Sequence, residues 1–166
     1  MPNRLIAGVV AGAAGTLALS VTSYLDMLLR GRPGSKLPAR MAERLADEAG
    51  ISLAFEGDSQ AAGEGGQAAS PVDNRREALG ALLGYANGLG IGLGYGMVRL
   101  LLPRPPLWLA GGILGSSAMA ASDVPATRLG LTRPQEWTAA DWAADVIPHA
   151  AYGLVTALTF ELLRER

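Results

Sequence analysis

No Asp, Glu, Lys, Arg or His lies between Arg4 and Asp26, between Glu77 and Arg99, or between Arg104 and Asp123, and only His149 interrupts the interval from Asp145 to Glu161. These intervals hold 21, 21, 18 and 15 residues, close to the roughly 20 apolar residues that cross a hydrocarbon core about 30 Å thick. Backbone N–H and C=O groups find no water in hydrocarbon, so each segment must satisfy its own, which an α-helix does. The spacing therefore predicts an all-α, polytopic membrane protein with four transmembrane helices at about 5–29, 78–102, 107–123 and 139–163. Charged residues make up 17% of the 166 residues, below the roughly 25% of soluble domains, as four such spans require.

The first block, "LIAGVVAGAAGTLALSVTSYL", has an uncharged core longer than a signal peptide's and continues apolar through "MLLR". It reads as a retained first span. A net charge of −1 with no basic stripe excludes nucleic acid as a partner. With no cysteine and a single histidine, thiol chemistry and a multi-histidine zinc site are excluded. Neither a metal nor any other cofactor is expected, and no paired carboxylates or Ser/His/acid pattern points to an enzyme.

The second span carries Gly80, Gly84, Gly88, Gly92 and Gly96, one at every fourth position. A phosphate loop needs Lys and Ser/Thr after its glycines, and a dinucleotide fingerprint needs G-x-G-x-x-G after a strand; neither occurs here. In lipid the glycines have another use, because apolar side chains gain little from meeting one another and helices associate where small residues let backbones approach. Gly8 and Gly12 in the first span and Gly111 and Gly115 in the third repeat the spacing. Each step of four drifts about 40° around a helix. The second span is accordingly expected to cross one helix over Gly80–Gly88 and another over Gly88–Gly96, the second partner being a span of this chain or a second copy.

Asp145, His149, Tyr152 and Thr156 share one face of the fourth span, with Pro148 between them removing a backbone hydrogen bond. Polar groups at membrane depth face the protein interior or a wet cavity. Two readings stay open. Asp145, His149 and Tyr152 form a proton or ligand relay, or Asp145 and His149 bond across to Asn87 on the second span or Asp123 on the third and fix the bundle.

Residues 31–77 form an extramembrane loop. "LPARMAERLADEAG" predicts an amphipathic helix at about 38–49, with Leu37, Met41 and Leu45 on its apolar face, Pro38 in its first turn and Gly50 at its end. The stretch at about 57–74 is too poor in large apolar groups to repay ordering and reads as a flexible linker. Thr138 and Asp141 have the spacing of a helix start, and Pro125 is expected to end or break the third span. Tyr24, Trp108, Trp137, Trp142 and Phe160 fall near span ends, at headgroup level. Four spans put both termini on one side, with Arg4, Arg99, Arg104, Arg164 and Arg166 beside them in short segments. That density favours cytoplasmic termini, although the opposite side carries more Lys and Arg in total.

"LWLAGGILG", Pro125 followed by "LGLTRP", Trp137, and Asp145 four residues before His149 together resemble the YagU-like family of small bacterial inner-membrane proteins of unknown function. The similarity runs over roughly residues 107–163 with an echo in the first span, and departs from the family in the long linker. It implies an integral, multi-pass protein of the bacterial cytoplasmic membrane. The expected function is a structural or accessory four-helix bundle that self-associates or binds a membrane partner in the lipid bilayer. The alternative is a small oligomeric channel or proton-linked transporter using the Asp145/His149/Tyr152 face.

Overall fold

The computed structural model describes residues 3–56, 58 and 70–164. Among them the chain forms five α-helices and no strand: α1 (Arg4–Arg30), α2 (Leu37–Glu48), α3 (Pro71–Leu101), α4 (Leu107–Arg128) and α5 (Ala139–Arg164), with a 3-10 turn at Pro134–Glu136. By length and composition α1 and α5 could each cross a membrane. In α3 and α4 the apolar run is diluted, by glycine and a charged first two turns in α3 and by Gly, Ser and Asp in α4.

Helix boundaries follow from local chemistry. Asn3 accepts from the Leu5 N–H at the start of α1, and the αL residue Gly31 ends it. At the start of α5, Asp141 accepts from the Thr138 N–H while the Thr138 hydroxyl accepts from the Asp141 N–H, the reciprocal pattern expected there. Gly50 and Gly130, at φ 69° and 68°, close α2 and α4. The residue after each glycine bonds back five positions, Ile51 to Ala46 and Leu131 to Ala126, which satisfies carbonyls the helix leaves free.

Two boundaries correct the sequence reading. The second long helix begins at Pro71, so residues 70–74 belong to a helix start: Ser70 accepts from the Asp73 N–H, Pro71 occupies the first turn and Asp73 meets the positive end of the dipole. Of the expected flexible linker, residues 57 and 59–69 lie outside the described residues. Pro125 does not end α4, which continues to Arg128. The proline removes the bond that would run to the Ala121 carbonyl, and the helix continues for only three residues beyond it.

Adjacent long helices run antiparallel. Gly8 faces Gly92 and Gly96 while Gly12 faces Gly88, and Gly111 meets Leu154 while Gly115 meets His149. The packing order is α3–α1–α5–α4, with α3 and α4 touching only slightly. The interior is built from small residues. Ala7 and Ala11 surround Phe160, and Ala110, Leu114, Ala118 and Ala157 surround Tyr152. A Cβ on Gly12 would lie 2.6 Å from the Gly88 carbonyl oxygen, and one on Gly115 would lie 2.6 Å from that of His149. Those seams close only because a glycine on at least one helix lets the other's backbone approach.

The glycine row of α3 divides differently from the expected pattern. Gly88, Gly92 and Gly96 all lie against α1. Gly80 lies against the backbone of Pro38 and Ala39 in α2, and Gly84 is exposed with nothing near it. The helix α2 is therefore the second partner, and it buries Ala42 and Ala46, while Leu37 and Met41 are half-buried and Leu45 is exposed. Gly80 admits the backbone of α2 only where side chains are small, so the alanine face wins the contact and Leu45 stays exposed. A Glu43–Arg76 ion pair at 2.6 Å fastens the two helices. Phe160 is also unlike its expectation: it is completely buried, whereas Tyr24, Trp108 and Trp142 are exposed.

Candidate functional site

Polar side chains gather at two depths of the bundle. Towards the N-terminus of α5, successive turns present Asp145, His149, Tyr152 and Thr156 to the interior, as the 4, 3, 4 spacing requires. The His149 Nδ1 lies 2.8 Å from the Asp145 carbonyl oxygen and 3.4 Å from its Oδ1. A carbonyl only accepts, so Nδ1 carries the ring proton. Asp123 comes from α4 to meet Asp145 side chain to side chain, and Ser122 donates to the Met119 carbonyl beside it at 2.9 Å. The Asp145 Oδ2 is buried without a hydrogen-bond partner among the described residues. Of the two cross-helix partners expected for this pair, Asp123 is present and Asn87 is not. Asn87 instead donates to the Ala118 carbonyl at 3.2 Å, tying α3 to α4.

Tyr152 is turned away from His149 and towards α3. Its ring is buried, and its hydroxyl donates to the Gly88 carbonyl oxygen at 2.6 Å. Gly88 leaves room for this: a Cβ there would meet both the Thr16 hydroxyl and the Tyr152 ring. Thr156 is fully buried against Gly15 of α1. The lower half of the face thus joins α5 to α1 and α3, and the upper half joins it to α4.

The second cluster sits at the opposite end and was not foreseen as a site. Arg99, in the last turn of α3, is 2% exposed and donates to Glu161 of α5 at 2.7 Å. Its guanidinium carbon lies 5.8 Å from the Tyr95 ring centroid and 5.7 Å from that of Phe160, whose rings meet edge to face at 4.9 Å. Arg104 reaches the other Glu161 oxygen at 3.2 Å, and Arg4 donates to the Arg99 carbonyl. Arg4, Arg99, Leu102, Pro103, Arg104, Glu161 and Arg164 line an open cavity of about 320 Å³. In sequence these charges read as span ends, and no spacing in a single helix links Arg99 to Glu161. Among the described residues no group of three or more His, Cys, Asp or Glu could hold a metal ion.

No protein family, no characterised protein and no solved structure matches the chain significantly.

Proposed function

We propose that all four long helices cross a bacterial cytoplasmic membrane, where the protein serves as a structural or accessory bundle for a second copy of itself or another membrane protein. The observation that supports this is where side-chain bulk is placed. Leu17 and Leu28 on α1, Leu82 and Leu101 on α3, Trp108 and Ile113 on α4, and Ile147 and Leu162 on α5 all point outward. Glycine and alanine fill the interior. Water would leave an apolar exterior far beyond the few hundred Å² that soluble monomers tolerate; hydrocarbon removes that cost. It also accounts for seams made of backbone, since close packing is what holds helices together in lipid. The likeness to the YagU-like family belongs to this same proposal.

The chain lacks cysteine, so single cysteines report the topology. With four spans, a cysteine replacing Pro105 labels with a membrane-impermeant maleimide on the side opposite cysteines replacing Ser35 and Thr132. If only α1 and α5 cross, all three label on one side. Recovery of a folded monomer from a detergent-free supernatant overturns the membrane reading altogether.

A second reading, a proton-linked transporter or oligomeric channel, is favoured by one observation: His149 stands beside two acids, Asp145 and Asp123. The buried Tyr152–Gly88 hydrogen bond supports the packing role instead. A cysteine replacing Tyr152 or Asn87 reacts with a small polar reagent in a water-filled path and stays protected in a dry bundle.

A further inference from the structure

Four guanidinium groups, those of Arg4, Arg99, Arg104 and Arg164, line the cavity at the Arg4 end of the bundle together with the carboxylate of Glu161. Glu161 is itself committed, with Oε1 held by Arg99 and Oε2 by Arg104. The Arg99 side chain is 3% exposed, yet its Nε has no hydrogen-bond partner among the described residues. Arg99 lines the cavity beside Arg4, Arg104 and Arg164. Arg4, the first residue of α1, and Arg164, the last of α5, line the same cavity and are half-buried. Cations held this close repel one another unless an anion sits among them.

We propose that this cavity binds a phosphate group. Guanidinium presents a planar fork of donors that matches phosphate oxygens two at a time, and it gives up its water more readily than an ammonium does. The cavity's volume falls at the lower end of the range for small-ligand sites, about 300–1,000 Å³. Three of the four arginines stand in the terminal turns of α1, α3 and α5 at the same end of the bundle. Under the membrane reading, on which this clause alone rests, that is the depth of headgroup phosphates, where basic pockets between helices take anionic lipids. The phosphate is then that of an anionic lipid headgroup or a free phosphate from the water side.

The test uses the full chain in detergent with two probes. Native mass spectrometry follows retention of phosphatidylglycerol against phosphatidylcholine, and calorimetry follows inorganic phosphate against chloride at equal ionic strength. The wild type is expected to prefer at least one phosphate probe by about 10-fold, and Arg4→Gln/Arg164→Gln to lose that preference. Both positions lie at helix ends, and Arg4 meets Gly96 of the glycine seam only through its backbone, so the fold is expected to survive. If the double variant fails to melt cooperatively, Arg164→Gln alone replaces it, and Arg164→Lys, which keeps the charge but loses the fork, is expected to fall between. Retention of phosphatidylglycerol assigns the lipid source, and inorganic phosphate binding without lipid preference assigns the soluble one. No preference for either probe, or a preference unchanged in the variants, overturns the proposal. Inorganic phosphate can bind whether or not α3 and α4 cross a bilayer, so the labelling of the Pro105 cysteine fails or succeeds independently.

Discussion

Asp58 is held by Arg75 through both carboxylate oxygens, at 2.7 and 3.1 Å, and it accepts from the Phe55 N–H at 2.7 Å. The same guanidinium donates to the Leu53 carbonyl at 3.0 Å and lies 4.2 Å from the Phe55 ring centroid. One side chain of α3 thereby gathers the segment that follows α2. The Arg75 hydrogen bonds, then the Phe55 N–H, hold the Asp58 carboxyl below its ordinary value. Because the folded value is depressed, this clamp's contribution is fully present above about pH 3.9, where an unrestrained aspartate has ionised. It fades as the pH falls through the lowered value. The Phe55 amide shift, followed by NMR in detergent, should titrate with a midpoint below 3.9 and cease to titrate in Asp58→Asn; a midpoint at or above 3.9 removes the clamp. The face of Asp145, His149, Tyr152 and Thr156 was legible from spacing alone, since 4, 3, 4 is a property of any helix. The Arg99–Glu161 pair was not. Both residues sit where a span ends, and a charge there reads as a headgroup anchor until the approach of α1 to α3 and α5 encloses it.

Helix α3 carries two kinds of glycine that its sequence does not distinguish. Gly88, Gly92 and Gly96 lie against α1, whereas Gly84, Gly90 and Gly94 have nothing within 4 Å. The fourfold spacing marks a close-packed face but drifts around the helix, so only the partner's position decides which members of the row are used. Alanine separates them. Gly12→Ala puts a methyl into the Gly88 carbonyl and should cost about 1–3 kcal/mol, as overpacking does. Gly90→Ala meets no atom and should be neutral or stabilise by about 0.5–1 kcal/mol through helix propensity. Thermal unfolding in detergent compares them, and equal losses would mean that the close seam is misplaced. An oligomer broken by Gly90→Ala in a monomer that melts normally would place the contact with a second copy on this open face. Helix starts obey a related lesson. "SPVD" had the Ser, Pro and Asp of a helix start, but the run of Gly, Ala and Gln before it suggested linker through residue 74, and composition masked the cap.

Backbone packing across the whole bundle is a chain of pairs, α3–α1–α5–α4, because α3 and α4 barely touch, and α3 reaches α5 through side chains alone, Tyr152 to Gly88 and Arg99 to Glu161. That much follows from where the small residues fall: α1 and α5 each carry small or buried polar groups towards two neighbours, while the outer sides of α3 and α4 keep bulky ones. The number of long helices and their alternating direction were legible from charge spacing, since successive spans must cross in opposite senses. The order of packing was not, because Gly8, Gly15, Gly111 and Gly153 look alike in sequence and find their partners only in three dimensions. An open chain of pairs should come apart by pairs. A Cβ at Gly153 would run into the Gly111 carbonyl and the Gly115 backbone, so Gly153→Val strikes the α5–α4 seam and little else. Hydrogen exchange in detergent should then rise along α4, where one major partner is lost. It should stay near wild type along α1 and α3, whose glycine seam lies on the far side of α1. Asn87 alone ties α3 to α4 by a side-chain hydrogen bond among the described residues, too little to carry the disturbance across. Exchange rising equally in all four long helices would mean that the bundle opens as one cooperative unit, and that the slight α3–α4 contact is worth more than its area suggests.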